Sequence, residues 1–327
     1  MRAVVLNEYG GPEVLTIADV AEPRPGPEDI VVEIRATALN RADVLQRMGL
    51  YPGPPMEHEI PGLEFAGTVV DAGDRVIGVG EGDEVMGIVG GGSYADRIAV
   101  HHRQVMAVPD TVPLADATAI PEVFLTAWDA LVRQGGLTSG RRALVHAGAS
   151  GVGTAATQIA TAIGASVAVT ASAAKHDVCR AQGADLVIDY RSTDFADAIS
   201  GWTDGEGVDV VLDVVGGEYL NRNIASLRVG GTVVQVGVMD PSPPTFALGA
   251  LLPKRATLVG TVLRARPLEE KIALTRQFAR EVLPLFDHGP LRPVIDSRYP
   301  LEQVGAAHER MESNANAGKI LVDISGS

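Results

Sequence analysis

The stretch LVHAGASGVGTAATQIA, from Leu144 to Ala160, decides the fold of this sequence. Its glycines at 148, 151 and 153 do not follow the G-x-G-x-x-G order, yet the stretch joins an apolar strand-like run to a helix-like run. At such a turn, backbone N–H groups and the helix dipole favour a pyrophosphate, and glycines let the phosphate approach. The stretch therefore predicts a dinucleotide-binding turn.

The serine in this turn suggests a second interpretation, the nucleophile of a hydrolase. A nucleophile elbow needs the order G-x-S-x-G. Ser150 is followed by Gly151 and then Val152, so the last glycine of that pattern is absent, and an acid and a histidine for a triad are not evident downstream. We expect the serine to be a small residue of a phosphate-binding turn.

The elements around the turn predict a doubly wound parallel sheet. From about Ile120 onward, β-branched apolar runs alternate with amphipathic ones, as βαβ units require. The expected strands are RALVHAG, SVAVTAS, LVIDY, VDVVLDVVG, TVVQVGV and TLVGTVL, and the expected helices are TAATQIATAIG, AAKHDVCRAQG, DFADAISGW and GEYLNRNIASLRVGG.

The first third of the chain has a different pattern, with short strand-like runs between Gly- and Pro-rich turns. Such spacing predicts an antiparallel, barrel-like domain. The expected strands are AVVLNE, VLTIADV, DIVVEIRATAL, FAGTVVDAG, RVIGVG, DEVMGIV and YADRIAV. Near the end, a long helix, PLEEKIALTRQFAREVLPLF, precedes the strand-like GKILVDIS, which could return to this first domain.

Length and charge limit the function classes. A chain of 327 residues can form two domains, each with a substantial core. The net charge of -14 argues against nucleic acid or an anionic membrane as the main partner. The sequence contains no uninterrupted run of 18 apolar residues, so a membrane span is not expected. The N-terminal apolar run is broken at Asn7 and Glu8, which is unlike a signal peptide. We expect a cytoplasmic protein.

The end of the second βαβ strand bears on the cofactor. NAD-binding proteins usually carry Asp or Glu there to hold the ribose 2′-hydroxyl. This strand instead continues as TASAAK, with Ser172 and Lys175 and no acid until Asp177. A hydroxyl and a lysine suit a 2′-phosphate, which favours NADPH, although Lys175 could also be a solvated residue at a helix start.

Several longer motifs resemble one family along essentially the whole chain: ALNRADVLQRMGLYPGPP, IPGLEFAGTVV, AIPEVFLTAWDAL, HAGASGVGTAATQ, DVVGG and NANAGKI. Together they are similar to the zinc-independent quinone oxidoreductases, the zeta-crystallin group of the medium-chain dehydrogenase/reductase superfamily. The resemblance implies a GroES-like catalytic domain at 1–121 and 267–327, a Rossmann NADPH-binding domain at 122–266, and a substrate cleft between them. It also implies a homodimer, for which the edge-like TLVGTVL is a candidate contact.

The resemblance implies roles for individual residues. Asn40, Asp43 and Tyr51 would line the substrate and nicotinamide side and carry catalysis. The cofactor-binding residues would be Thr126 beside the nicotinamide, the pyrophosphate turn Ser150, Gly151, Val152 and Gly153, the 2′-phosphate contacts Ser172, Lys175 and Tyr190, and further along the chain Gly237 and Asn316.

The same resemblance addresses zinc. Zinc alcohol dehydrogenases of the superfamily use a Cys in the first motif and a His in a G-H-E motif, and the matching positions here are Asn40 and Leu63. Leucine cannot ligate zinc, and the one cysteine, Cys179, lies elsewhere, so no metal site is expected. Without a Lewis acid, alcohol oxidation lacks its usual activation, whereas a quinone delocalises the incoming hydride charge itself.

The sequence therefore predicts an NADPH-dependent quinone reductase, in which Asn40, Tyr51 or water could supply hydrogen bonds or protons. An enoyl-thioester or enone reductase remains an alternative, since one scaffold serves both reactions, and so does a non-catalytic NADPH-binding protein.

Of the other polar residues, His101 and His102 are expected at the surface on opposite faces, and His146 is expected to be packed. Arg264 could reach a ligand or solvent.

Overall fold

The computed structural model describes residues 1–240, 242–243 and 245–324. The chain divides into two compact units. The first comprises Met1–Leu125 and the described part of Arg264–Ser327, and the second comprises Thr126–Leu263.

The strands within these ranges are numbered in chain order. They are β1 Arg2–Leu6, β2 Leu15–Asp19, β3 Asp29–Ala38, β4 Glu64–Ala72, β5 Glu84–Ile88, β6 Arg97–His101, β7 Val105–Ala107, β8 Arg142–Val145, β9 Ser166–Ala171, β10 Leu186–Asp189, β11 Val208–Asp213, β12 Leu227–Gln235, β13 Thr257–Gly260, β14 Ile295–Pro300 and β15 Lys319–Asp323.

The helices are numbered in the same way. They are α1 Arg41–Arg47, α2 Leu114–Ala117, α3 Pro121–Trp128, α4 Gly151–Ala162, α5 His176–Ala181, α6 Phe195–Trp202, α7 Tyr219–Ser226, α8 Leu251–Lys254, α9 Leu268–Glu281, α10 Pro284–Asp287 and α11 Val304–Glu312. Within the described ranges, none of the helices combines the length and apolar character needed to cross a bilayer.

The first unit is built on a seven-stranded sheet. Its strands follow the order β14-β15-β3-β4-β5-β7, with β6 also paired to β3. All pairs are antiparallel except β14 with β15. Along the central strand β3, Ile30, Val32 and Ile34 recur at every second position and therefore share one face, where they join the same buried core as Phe65 and Ile320.

The last strand, β15, lies in this sheet beside β3. The two are antiparallel, with Leu321 opposite Ala38 and Asp323 opposite Ala36. The expected return of GKILVDIS to the first domain is confirmed. As a result, residues from the two ends of the chain lie side by side at the centre of one sheet.

The expected strand RVIGVG, residues 75–80, is wrong; this segment is a loop. Its backbone turns instead of extending, because the Arg75 N–H donates to the Pro27 carbonyl and Gly78 has a φ of +79°. Ile77 is 77% exposed, whereas Val76 and Val79 are half-buried and pack against the core of the first unit without forming a strand.

The second unit contains a six-stranded parallel sheet. Its strand order is β10-β9-β8-β11-β12-β13, so the chain winds outward in both directions from β8. The fold class predicted from the sequence, a doubly wound parallel sheet together with an antiparallel β domain, is confirmed. In such sheets ligands bind at the carboxyl ends of the strands where the winding direction reverses, here β8 and β11.

One element of this unit is shorter than expected. The sequence suggested a helix through GEYLNRNIASLRVGG, but α7 ends at Ser226 and the remaining residues begin β12. The backbone becomes extended at Leu227, with ψ of 146°, and Leu227 pairs with Val208 of β11. Pairing with the sheet therefore determines the conformation of this segment.

A buried ion pair links α1 to α11 in the first unit. The Arg47 side chain is fully buried, and its guanidinium donates to both Glu312 carboxylate oxygens at 2.7 and 3.1 Å and to the Gly10 carbonyl at 3.1 Å. The Glu312 side chain is 31% exposed, so water solvates part of the pair.

We expect Arg47→Ala to lower the free energy of unfolding by about 3 kcal/mol, because it removes a buried partner from a charged pair. Arg97→Ala is the control. Arg97 pairs with Glu22 at a side-chain exposure of 34%, and exposed pairs contribute about 1 kcal/mol or less. Urea unfolding compares the two variants, and equal losses would contradict this assignment.

Candidate functional site

The turn between β8 and α4 is capped by its own serine. Ser150 is the residue before the first turn of α4, and its Oγ accepts a hydrogen bond from the Gly153 N–H at 3.0 Å. A serine in this position stabilises the start of a helix. The hydroxyl therefore has a structural partner, and the N–H groups of Gly151 and Val152 lie in the first turn, where a helix has no internal acceptors.

Glycine is required at the close approach between this turn and α4. A Cβ at Gly153 would lie 2.3 Å from the Ala147 carbonyl oxygen and 2.6 Å from Gly148. A Cβ at Gly148 would lie 2.6 Å from the Val169 side chain of β9. A compact turn with exposed N–H groups at a helix N-terminus can accommodate a phosphate.

The residues expected at the cofactor's adenosine end follow two paired strands. Because β9 and β10 are paired up to their last residues, Ser172 and Tyr190 leave the sheet next to each other. Lys175 follows in a short 3₁₀ turn. The Arg191 guanidinium, which the sequence analysis did not single out, lies 5.7 Å from the Tyr190 ring. Lys175 and Arg191 thus provide positive charges after β9 and β10, and no carboxylate lies at the end of β9.

The remaining expected cofactor residues are distributed between the units. Gly237 follows β12 in the second unit, and its carbonyl accepts a hydrogen bond from the Gln235 amide at 2.7 Å. Thr126 lies in α3 and is buried. Asn316 belongs to the first unit, is buried, and donates to the Gly318 carbonyl at 3.0 Å. The second unit therefore brings together the turn, the adenosine-end residues and Gly237.

Asn40 lies at the centre of a polar cluster in the first unit. It precedes α1, and its amide nitrogen donates to Glu64 Oε1 at 2.8 Å. The Lys319 ammonium donates to the Asn40 amide oxygen at 2.7 Å and to the Leu39 carbonyl at 2.6 Å, and it pairs with Glu64 Oε1 at 2.7 Å. These contacts fix which way the Asn40 amide faces.

Asp43 supports the same residue from the other side. Its carboxylate accepts hydrogen bonds from the backbone N–H groups of Asn40 at 2.7 Å and Gly62 at 3.3 Å, and its side chain is fully buried. Burial raises the pKa of Asp43 to about 6. Asp43 therefore holds the backbone at the start of α1, in contact with Asn40.

Tyr51 is held by an arginine from the other end of the first unit. The Arg264 guanidinium lies 4.9 Å from the Tyr51 ring, donates to the Tyr51 carbonyl at 3.1 Å, and donates to Gln46 Oε1 at 2.7 Å. Burial raises the pKa of the Tyr51 hydroxyl above its ordinary value. From the sequence, Arg264 could contact either a ligand or solvent. In the structure, its guanidinium contacts these protein groups.

Three members of the cluster were not predicted: Glu64, Lys319 and Glu122. Glu122 is half-buried at the start of α3, and its backbone N–H donates to Glu64 Oε2 at 2.7 Å. Burial and the neighbouring Glu64 raise the pKa of Glu122 to about 8. The signal in the sequence was a single acid inside the apolar run AIPEVFLTAW. Lys319 carried no such signal, since sheet pairing alone brings it to Asn40.

The position matched to a zinc-binding histidine is apolar. Leu63 is 2% exposed and packs in the first unit. In the part of the chain that the structure describes, no group of three or more His, Cys, Asp or Glu side chains is arranged to hold a metal ion. Cys179 is buried in the second unit, and burial raises the pKa of its thiol to about 11.

The expectation for two adjacent histidines is wrong. His101 and His102 were expected on opposite faces at the surface, but their rings stack with centroids 5.0 Å apart, and His102 is buried. The reason is that β6 ends at His101 and His102 begins a 3₁₀ turn, so the alternation of an extended strand stops between them.

The packed His146 is confirmed. Its ring nitrogens contact the Thr170 hydroxyl at 3.0 Å and the Asn223 amide oxygen at 2.7 Å, with no exposed surface. Burial lowers the pKa of His146, so its neutral form is favoured. These contacts occupy both nitrogens, which leaves the ring no group to offer a ligand.

Comparison with known families gives two matches. A family described as the alcohol dehydrogenase GroES-like domain matches residues 26–110. A family described as zinc-binding dehydrogenase matches residues 182–322. The first match lies in the first unit and confirms the GroES-like domain.

Two relatives cover nearly all of the chain. The synaptic vesicle membrane protein VAT-1 homolog of Rattus norvegicus is 31% identical, over 98% of this chain and 84% of its own. The quinone oxidoreductase of Homo sapiens is 30% identical, over 98% of this chain and 97% of its own.

Solved structures agree in fold along the full length. The crystal structure of an NAD-dependent alcohol dehydrogenase superposes with a TM-score of 0.90 at 30% identity, covering 99% of this chain and 100% of that one. The apo crystal structure of JamJ enoyl reductase superposes with a TM-score of 0.89 at 27% identity, covering 99% of both chains.

The turn before α4 generates a paired prediction. We expect Gly153→Ala to weaken the binding of a nicotinamide dinucleotide by more than about tenfold, or 1.4 kcal/mol, because the added Cβ displaces the turn. Ser150→Ala should cost about 1 kcal/mol of stability through the lost helix cap and leave the affinity within about threefold. Fluorescence titration with NADPH measures both, and a larger loss of affinity for Ser150→Ala would contradict this view of the turn.

Proposed function

Because the chain belongs to the medium-chain dehydrogenase/reductase superfamily, and within it to the zinc-independent quinone oxidoreductase-like proteins, we propose that this oxidoreductase reduces quinones with NADPH. The observation that carries the proposal is the Lys319 ammonium bound to Asn40 and Glu64, beside a buried leucine at the position of a zinc ligand. The cluster thus contains the positive charge of Lys319, while the position that matches a zinc-binding histidine is occupied by Leu63, which cannot bind a metal.

The second unit suits a nicotinamide dinucleotide. The turn has no room for a Cβ at Gly153, and the N–H groups of Gly151 and Val152 are available to a pyrophosphate. Lys175 and Tyr190 would hold a 2′-phosphate, with Ser172 in place of the acid that repels it. When bound, the cofactor supplies a hydride from its nicotinamide ring.

Three further residues complete the proposed cofactor contacts. Thr126 would lie beside the nicotinamide, Gly237 would line the binding edge after β12, and Asn316 would also contact the cofactor. These assignments stay proposals that extend the resemblance of the sequence.

The first unit supplies the groups for the acceptor. The amide of Asn40 is held in one orientation by Lys319 and Glu64, and Asp43 fixes its backbone. Tyr51 is held by Arg264 and would contact the acceptor from a loop. Such fixed groups favour a reaction by proximity and orientation, which suits an acceptor that takes up hydride charge by itself.

An enoyl reductase is the second candidate. The similarity to JamJ enoyl reductase over the full chain favours it. A conjugated thioester also delocalises incoming hydride charge, but its α-carbon must then be protonated. The two candidates therefore differ in the atom that receives the proton, which is a carbon in the thioester and an oxygen in the quinone.

The test measures NADPH and NADH oxidation with ortho- and para-quinones and with enoyl-CoA. We expect quinone turnover with NADPH at least about tenfold more efficient than with NADH, a difference of 1.4 kcal/mol. Lys175→Ala should remove most of that preference by weakening NADPH alone. Quinone turnover at background level, with enoyl-CoA reduced, would replace the first candidate by the second.

We further propose a homodimer joined through the edge strand β13. Only β12 pairs with β13 in the chain's described residues, and the Leu258 side chain of β13 is 41% exposed. An unpaired edge of this kind can add a strand from a second copy. The cytoplasmic location stays a prediction of the sequence.

Light scattering after size-exclusion chromatography should give twice the 34.1 kDa chain mass. Leu258→Lys should dissociate the dimer by burying a charge in the joint sheet, whereas the matched control Ile77→Lys, in an exposed loop, should not. A monomeric wild-type protein would refute the proposal.

A further inference from the structure

We infer that Glu122 is the acid that delivers a proton to the reduced acceptor. The inference rests on the proposed function and adds the group that the sequence analysis left undecided between Asn40, Tyr51 and water.

The backbone of Glu122 is bonded directly to the cluster. Its backbone N–H is bonded to Glu64, which is itself bonded to Asn40 and Lys319. Glu122 also lies four residues before Thr126 in α3, and side chains spaced by four residues lie on one face of a helix. Thr126 is the residue proposed to lie beside the nicotinamide, so Glu122 lies one helical turn away on the same face.

The carboxyl is available to a ligand. Glu122 is half-buried, and among the residues that the structure describes its one hydrogen bond is made by its backbone N–H, which leaves the side-chain oxygens without a partner. Asp43, in contrast, is fully buried and accepts two backbone hydrogen bonds. Of the two acids, only Glu122 combines partial exposure with free oxygens.

The surrounding charges keep a proton on this carboxyl. The groups that face it are Glu64 of β4, Asp43 of α1, Lys319 of β15, Lys271 of α9, Arg264 before α9, and Tyr51 in the loop after α1. Lys319 is already bound to Glu64, and Arg264 to Gln46 and the Tyr51 carbonyl. Burial and the two carboxylates outweigh the cations, and the pKa of Glu122 rises to about 8.

The acid strength of Glu122 suits proton delivery better than that of Tyr51. A general acid works best when its pKa lies near the working pH. Burial raises the pKa of Tyr51 above its ordinary value of 10.0, which makes the phenol a weaker acid. At pH 7 Glu122 holds its proton yet releases it more readily than the phenol.

Glu122 donates its proton after the acceptor has taken up hydride. Hydride from the reduced nicotinamide converts the quinone to a hydroquinone anion. The O–H bond of Glu122 then breaks, and a new O–H bond forms on the anionic oxygen. The Glu122 carboxylate regains a proton from water, so the enzyme returns to its starting state with no other reactant.

The first part of the test reads protonation without any substrate. Infrared spectra of the cofactor-free protein, recorded from pH 5 to 10, compare wild type with Glu122→Gln. The exposed Glu81→Gln is the matched control. We expect a protonated-carboxyl band at pH 7 that disappears as the pH rises through about 8 and is missing only in Glu122→Gln. A band that is already absent in wild type at pH 7 would overturn the inference.

The second part measures kinetics with NADPH and a quinone. Glu122→Gln should lower kcat at pH 7 by about 100-fold, with KM and the NADPH Kd within about threefold. Wild-type kcat should fall as the pH rises through about 8, because the protonated form is the active one, and Glu122→Gln should lack this fall. A kcat for Glu122→Gln within threefold of wild type would overturn the inference, whereas absence of wild-type quinone turnover would instead refute the proposed function.

Discussion

The ion pair between Lys319 and Glu64 is the contact on which the cluster of the first unit depends. Lys319 begins β15 and Glu64 begins β4, and both strands are neighbours of β3. The sheet must therefore join both ends of the chain before these charges meet. Burying such a pair is costly unless its polar atoms are bonded. Contacts to Asn40, the Leu39 carbonyl and the Glu122 backbone meet that demand.

This pair also determines the electrostatics of its surroundings. The ammonium pairs with Glu64 and fixes the Asn40 amide, but its charge does not offset the burial of Asp43 and Glu122. Both of these acids consequently have a raised pKa, chiefly through burial. A cluster with one bonded cation and two protonatable acids suits the reduction of an acceptor that needs protons.

The sequence predicted the parallel sheet well, because buried strands and amphipathic helices have distinct periodicities. The turn at Ser150 was identifiable for the same reason, by its place between such elements. Local sequence patterns gave wrong predictions where contacts with distant residues determine the backbone conformation. The segment around Ile77 is a loop instead of the expected strand, and the chain from Leu227 onward is a strand instead of the expected helix. The Lys319 contact was hidden because it joins residues that are far apart in sequence. Glu122 could have been noticed in the sequence as a lone acid in an apolar run. Its spatial neighbours could not be predicted, because they come from distant parts of the chain.

The most direct test of this account is a crystal structure with NADP⁺ and a quinone that cannot be reduced. The quantity to measure is the distance from the Glu122 carboxyl oxygen to the nearer quinone oxygen. The account predicts about 2.6–3.2 Å, the range for a proton donor and its acceptor. A quinone oxygen bonded to Tyr51 or to a metal ion, with the Glu122 carboxyl beyond hydrogen-bond reach, would contradict it.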